Sequence, residues 1–154
     1  MRALLQRVIS AQVIVGGEVV GKIGKGLVVL VGVSHDDFEE DAWYLADKTV
    51  NLRVFEDSQS KFNLSVLDVG GELLTISQFT LLANSRKGRR PSFADAALPD
   101  RAEAIFNYFV ARANDSGLRV ETGRFRQHMM VEIHNDGPVT VMLDSKERMS
   151  PRHG

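Results

Sequence analysis

Two short stretches carry the residue types that could do chemistry. Ser77-Gln78-Phe79-Thr80-Leu81 ends one apolar run, and Asn135-Asp136-Gly137-Pro138-Val139-Thr140 interrupts another. In a strand read over Leu73 to Leu82, Leu74 and Ile76 share a face with Gln78 and Thr80. Leu73, Thr75 and Ser77 share the other face with Phe79 and Leu81, so polar residues enter both faces as the strand ends. One reading is an ordinary fraying strand end. The other is a site whose floor is backbone N–H groups around Phe79 and Thr80, with the Gln78 and Thr80 side chains beside it. Such donors hold the oxyanion of an ester under attack. Thr80 is less attractive as a covalent nucleophile, because no base is apparent nearby to activate its hydroxyl.

The second stretch sits between two runs of strand alternation. Met129, Val131 and Ile133 alternate with Met130, Glu132 and His134, and Val139, Val141 and Leu143 repeat the pattern beyond Gly137-Pro138. An Asp-Gly hairpin joining two antiparallel strands is the default reading. A cis Gly137-Pro138 bond is the alternative. It would turn two successive carbonyls to one side, where they could accept hydrogen bonds from a substrate ammonium.

Other chemistries find little support. His35, His128, His134 and His153 lack metal-ligand spacing. There is no P-loop and no Gly-x-Ser-x-Gly elbow. The absence of cysteine excludes disulfides, thiolate nucleophiles and cysteine-bound zinc. The paired acids Asp36-Asp37 and Glu39-Glu40-Asp41 read as a helix start. Net charge is 19 basic minus 20 acidic residues, or −1, so the overall balance gives no hint of nucleic acid. Distribution does: Arg86, Lys87, Arg89 and Arg90 crowd around Gly88. The cluster is either a solvated loop or a local phosphate binder.

The 154 residues, 44% hydrophobic and 25% charged, fit one globular domain. Strands are expected at Ala3 to Ile9, Gln12 to Val15, Glu18 to Ile23 and Leu27 to Val33, with turns at Gly16-Gly17 and Gly24 to Gly26. Asp36 or Asp37 is expected to cap a helix that buries Phe38, Ala42, Leu45, Thr49 and Leu52. A second helix, from about Asp100 to Asp115, buries Ala102, Ile105, Phe106, Phe109, Val110 and Ala113 and ends at Gly117. The sum is an α+β domain with a largely antiparallel sheet or barrel and two main helices. Residues 145–154 lack periodicity and read as a flexible tail. With neither a secretion signal nor a membrane-length apolar run, a cytoplasmic protein with no membrane partner is expected.

Taken together, the two stretches resemble the paired motifs of the D-aminoacyl-tRNA deacylase family. The resemblance runs from Met1 to Asp144 through Gln6-Arg7-Val8, the Gly26 to Val33 run, Asn51 to Asp57, Val69 to Leu73, Lys87 to Phe93 and Glu121 to Phe125. It implies a homodimer in which a cis Gly137-Pro138 reaches into the partner's pocket as a chiral filter. That pocket, formed around the catalytic Ser77, Gln78, Phe79 and Thr80 with Met129 and Asn135 beside them, would receive the aminoacyl end of tRNA. Arg86, Lys87, Arg89 and Arg90 would hold tRNA backbone. Hydrolysis would need no cofactor or metal and would be assisted by the terminal 2′-hydroxyl, with D-aminoacyl-tRNA and mischarged glycyl-tRNA(Ala) as substrates and L-aminoacyl-tRNA rejected.

The chain departs from the family pattern at Arg126-Gln127-His128, where small Gly-Ala residues are usual, and at Phe62, where methionine is usual. The first departure supports an alternative: a hydrolysis-deficient tRNA-binding module of the same fold.

Overall fold

The computed structural model describes residues 1–152. Its backbone is a long hairpin that is then extended on both sides. Strand β1 (Arg2–Val15) turns at Gly16-Gly17, both at positive φ, into β2 (Glu18–Ile23) and then β3 (Gly26–Gly32). β1 is one continuous strand where the sequence suggests two. Its register with β3, from Arg2↔Gly32 to Val8↔Gly26, continues into β2 at Ala11↔Ile23, so β2 and β3 follow one another along the same edge. β8 (Met130–Asp144) runs antiparallel along the opposite edge. Beyond β3, the parallel strands β6 (Glu72–Ser77) and β7 (Arg119–Thr122) complete the sheet.

The sheet buries both faces. Leu27, Val29, Val31 and Leu73 pack under the two helices, α1 (Glu39–Asn51) and α2 (Pro99–Asp115). Val28, Leu74 and Ile76 point the other way and meet Val8, Ala11 and Val13 inside a barrel-like curl. In β1 the buried face switches parity between Val8 and Ala11, where the ladder to β8 slips and Ile9 is left exposed. One extra residue in a strand flips every later side chain to the opposite face. A small hairpin of β4 (Phe55–Glu56) and β5 (Phe62–Leu64) caps one end. None of the helices among the described residues is long and apolar enough to cross a membrane.

Three local expectations change. Asp36 and Asp37 do not cap α1. Asp37 is buried, accepting from the Met1 ammonium at 2.8 Å and the Ser34 N–H at 2.6 Å, and burial raises its pKa. The N-cap is Phe38, whose N–H donates to Asp41, and its ring is exposed rather than in the core because it precedes the helical face. The strand from Leu73 stops at Ser77 and gives way to a 3-10 turn, Phe79–Leu82. The residues after Asp144, read as a tail, begin with a second 3-10 turn, Ser145–Met149, whose buried Ser145 hydroxyl accepts from the Met1 ammonium at 3.0 Å. His153 falls outside the described residues.

Glu72 clamps three elements, accepting from the Gly24 N–H at 2.9 Å and pairing with Arg119. The Arg119 hydrogen bond and the Gly24 N–H hold its carboxyl below the usual 4.5. A depressed carboxyl stabilises the fold above its unfolded pKa, and that contribution is lost as pH falls through the folded value. Glu72→Gln is therefore expected to cost about 1 kcal/mol at pH 7, the upper end for a largely solvated pair. The gap from wild type should shrink as urea melts are taken below about pH 4.5. A constant gap would show that the charge is not the cause.

Candidate active site

The Phe79–Leu82 turn is fixed from below. The Gln78 N–H donates to the Val31 carbonyl at 2.7 Å, and Leu82 is buried. Gly32 makes the close seat possible. A Cβ there would stand 2.4 Å from Leu82 Cδ2, 3.0 Å from the Gln78 carbonyl oxygen and 3.0 Å from Leu81 Cβ. From above, the Arg2 guanidinium donates to the Leu81 carbonyl at 2.8 Å.

The consequence is a pair of free donors. Leu81 and Ala83 donate their N–H groups back to Gln78 and Thr80. The N–H groups of Phe79 and Thr80 meet no acceptor among the described residues, as expected of the first positions of a helical turn. Both residues are exposed. Beside them the Gln78 amide donates to the Thr80 hydroxyl. Thr80 Oγ1 meets no histidine or carboxylate among the described residues, so none of these activates it as a nucleophile.

Ser77 lies half-buried at the mouth of a crevice of about 10 Å³ that Met129 and Phe125 also line. Met129 and Ser77 thus line the same crevice. Arg126, Gln127 and His128 are exposed on the loop bordering the crevice, and Arg126 has a φ of 65°.

Gly137-Pro138 is not a hairpin turn. β8 passes straight through, with Asn135 opposite Val8 and Thr140 opposite Gln6. Both flanks pair with β1 rather than with each other, so the residues between them bulge out of the strand. The Gly137-Pro138 bond is cis. Asn135 staples the bulge from within, accepting from the Val139 N–H at 3.2 Å and donating to the Thr140 hydroxyl at 3.1 Å.

Arg7 was not singled out from sequence as a site residue, yet it holds the root of this bulge. Its guanidinium is buried, donates to the Asp136 carbonyl at 3.2 Å and the Val54 carbonyl at 2.9 Å, and faces the Asp136 carboxylate at 3.3 Å. The ring of Phe62 lies 5.6 Å from it. The available signal was periodicity: Ala3 and Leu5 are core residues, and Arg7 is the next on the same face.

Within one chain the two motifs stay apart. From β8 to β6 the path crosses β1 and β3, three strand spacings or roughly 14 Å. The bulge is level with Arg7, Leu27 and Leu73, whereas Ser77 lies at the far end of β6, roughly a further 13 Å at the usual rise.

The basic residues leave directly from the 3-10 turn. Residues 85–91 form a loop closed by reciprocal 2.8 Å hydrogen bonds between Asn84 and Ser92. Phe93 then packs edge-on against Phe79, ring centres 5.0 Å apart. Arg86, Lys87, Arg89 and Arg90 are all exposed on it. Among the described residues no three His, Cys, Asp or Glu side chains are grouped to hold a metal.

The family model for D-Tyr-tRNA(Tyr) deacylase matches residues 4–144, nearly the whole folded body. The chain belongs to that family. A D-aminoacyl-tRNA deacylase of Dehalococcoides mccartyi is 55% identical over 152 residues, covering 99% of each chain. One of Clostridioides difficile is 54% identical over 147 residues, 96% of this chain and 99% of that one. A solved structure of a c-Myc DNA unwinding element binding protein, 40% identical, superposes with a TM-score of 0.88 over 99% of this chain and 100% of that one. A probable eukaryotic D-amino acid tRNA deacylase, 18% identical, shares the fold at a TM-score of 0.82 over 93% of this chain and 98% of that one. The matched region of the family model contains Arg7 and both motifs.

Proposed function

We propose that this protein hydrolyses the ester of D-aminoacyl-tRNAs, at a site that two copies of the chain build together. The observation that carries the reading is the unpaired N–H pair at Phe79 and Thr80. Two adjacent main-chain donors in a fixed turn suit the oxyanion that forms when water attacks an ester carbonyl. The carbonyl carbon gains the water oxygen, the bond to the ribose oxygen breaks, and free D-amino acid and tRNA leave. An aminoacyl ester is already activated, so orientation and charge stabilisation suffice without a side-chain base. The terminal 2′-hydroxyl sits next to the reacting ester and assists the attack. Ser77, Gln78 and Met129 line the pocket, and the Arg86 to Arg90 loop takes the RNA backbone.

The separation of the motifs supports a cross-subunit site. A bulge roughly 20 Å from the donors of its own chain serves the donors of a second copy. There the main-chain carbonyls of Gly137-Pro138 hold the substrate ammonium, with Asn135 fixing the loop that carries them. They occupy the space into which an L side chain would project, so selection acts by exclusion. Glycine, with no side chain to exclude, passes, and glycyl-tRNA(Ala) is cleaved as well.

The test is D-tyrosyl-tRNA ending in ordinary adenosine or in 2′-deoxyadenosine. The ordinary substrate is expected to be hydrolysed, and the deoxy substrate about 100-fold more slowly, within the range for positioned proton transfer. Equal rates would remove the 2′-hydroxyl from the mechanism. No hydrolysis of either, with tRNA still bound, would favour the hydrolysis-deficient binding module.

A further inference from the structure

Beside the Phe79–Leu82 turn, on its Arg2 side, lies a groove of about 300 Å³. Its walls are Leu82 and Ala83 with Arg2, Asn84, Ser85, Arg86 and Asp95. We infer that this groove is a phosphodiester subsite for the last nucleotides of the RNA 3′ end, with Arg2 and Arg86 as its cations. The inference rests on the hydrolase reading above.

Both arginines of the groove keep charge that the chain does not neutralise closely. Arg112 is paired with Asp47 at 3.0 Å, Arg119 with Glu72 and Glu121, and Arg7 is enclosed among carbonyls and carboxylates. Arg2 has only a loose contact, its Nε 3.7 Å from Asp144. Arg86 joins no ion pair among the described residues, and its N–H is held by the Asn84 side chain at 3.0 Å. Asp95 is the one acidic residue of the lining, beside two arginines. Guanidinium forks suit phosphate oxygens, and the Asn84 amide and Ser85 hydroxyl can add neutral donors.

Position supports the same ligand. Arg2 grips the turn itself through the Leu81 carbonyl. From Thr80 to Ala83 the 3-10 rise is roughly 6 Å, the scale of one nucleotide. A ribose ester at the Phe79 and Thr80 donors therefore has the groove within one nucleotide's reach of its 5′ phosphate. Arg2 opposes Gly32 in the ladder, so the same strand end that seats the turn also presents the cation.

The experiment compares wild type with Arg2→Gln and Arg86→Gln on two substrates, D-tyrosyl-tRNA and the phosphate-free ester D-tyrosyl-adenosine. For each variant the rise in KM with tRNA is expected to exceed that with the adenosine ester by about tenfold. The slope of log KM against log salt should fall by about 0.7, as for one contact to a single strand. Equal losses on the two substrates would reduce Arg2 to a support for the turn and overturn the inference, as would no loss on either. If wild type cleaves neither substrate, the hydrolase reading fails by itself. Binding of a 5′-phosphorylated CCA trinucleotide, followed by fluorescence anisotropy, then decides the subsite: weakening by both substitutions supports it and unchanged binding refutes it.

Discussion

Gly32→Ala is expected to cut kcat for D-tyrosyl-tRNA about 100-fold while leaving a folded protein. The added methyl group meets the Gln78 carbonyl and Leu81 Cβ at 3.0 Å, both on the segment that presents the donors. Leu82 Cδ2, at 2.4 Å, lies at the end of a flexible side chain and can rotate away. The Gln78 carbonyl and the Leu81 Cβ move only with the main chain, so the turn shifts by a few tenths of an ångström or more. Overpacking of this kind costs about 1–3 kcal/mol of stability. Misaligning an oxyanion donor costs about 10²–10³ in kcat. A melting curve beside the kinetics separates the two effects. A folded Gly32→Ala protein within about threefold of wild-type kcat would mean that the Phe79 and Thr80 N–H groups do not meet the reacting oxygen.

The second large effect is expected at Arg7. Arg7→Ala removes the donors to the Asp136 and Val54 carbonyls and frees the root of the Gly137-Pro138 bulge. Orphaned carbonyls cost about 1–3 kcal/mol each when buried. On the proposed reading the functional loss has a different signature: a loosened bulge discriminates less. D-tyrosyl-tRNA hydrolysis should drop at least ~10-fold, and the D/L rate ratio should fall with it. Arg7→Lys keeps the charge but not the fork that spans two carbonyls, so it should recover stability more than selectivity. A variant with reduced activity and an unchanged D/L ratio would make Arg7 purely structural.

Much of the fold was legible because its signals are local. The Gly16-Gly17 turn, the alternation in β8 and the buried stripe of α2 need no distant partner to be read. What failed depended on distant partners. Asp136-Gly137 between two alternating runs looks the same whether those runs pair with each other or with a strand about 130 residues away, and β1 is what decides it. The turn after Ser77 was hidden likewise, since only the gap over Gly32 makes a 3-10 turn fit where a strand would continue. Phe38 was misplaced because an aromatic just before a helix matches the apolar period without lying on the buried stripe.

The candidate site divides in the same way. Residue types alone leave the Ser77 to Thr80 stretch open between a site and a fraying strand end, and the basic loop open between a phosphate binder and a solvated loop. The structure adds that they are consecutive parts of one tethered segment. In the sequence Arg7 is a charged residue that interrupts an apolar strand. Its burial among carbonyls shows it continuing the pattern with a structural task.

The central claim is that fixed main-chain groups, without a side-chain base, cleave one enantiomer of an aminoacyl ester and exclude the other. It is tested most directly by the initial rates at which the purified protein hydrolyses D-tyrosyl-tRNA and L-tyrosyl-tRNA at equal concentration. A D/L ratio of at least ~100 is expected, equivalent to about 3 kcal/mol of discrimination. Comparable rates on both would contradict the account.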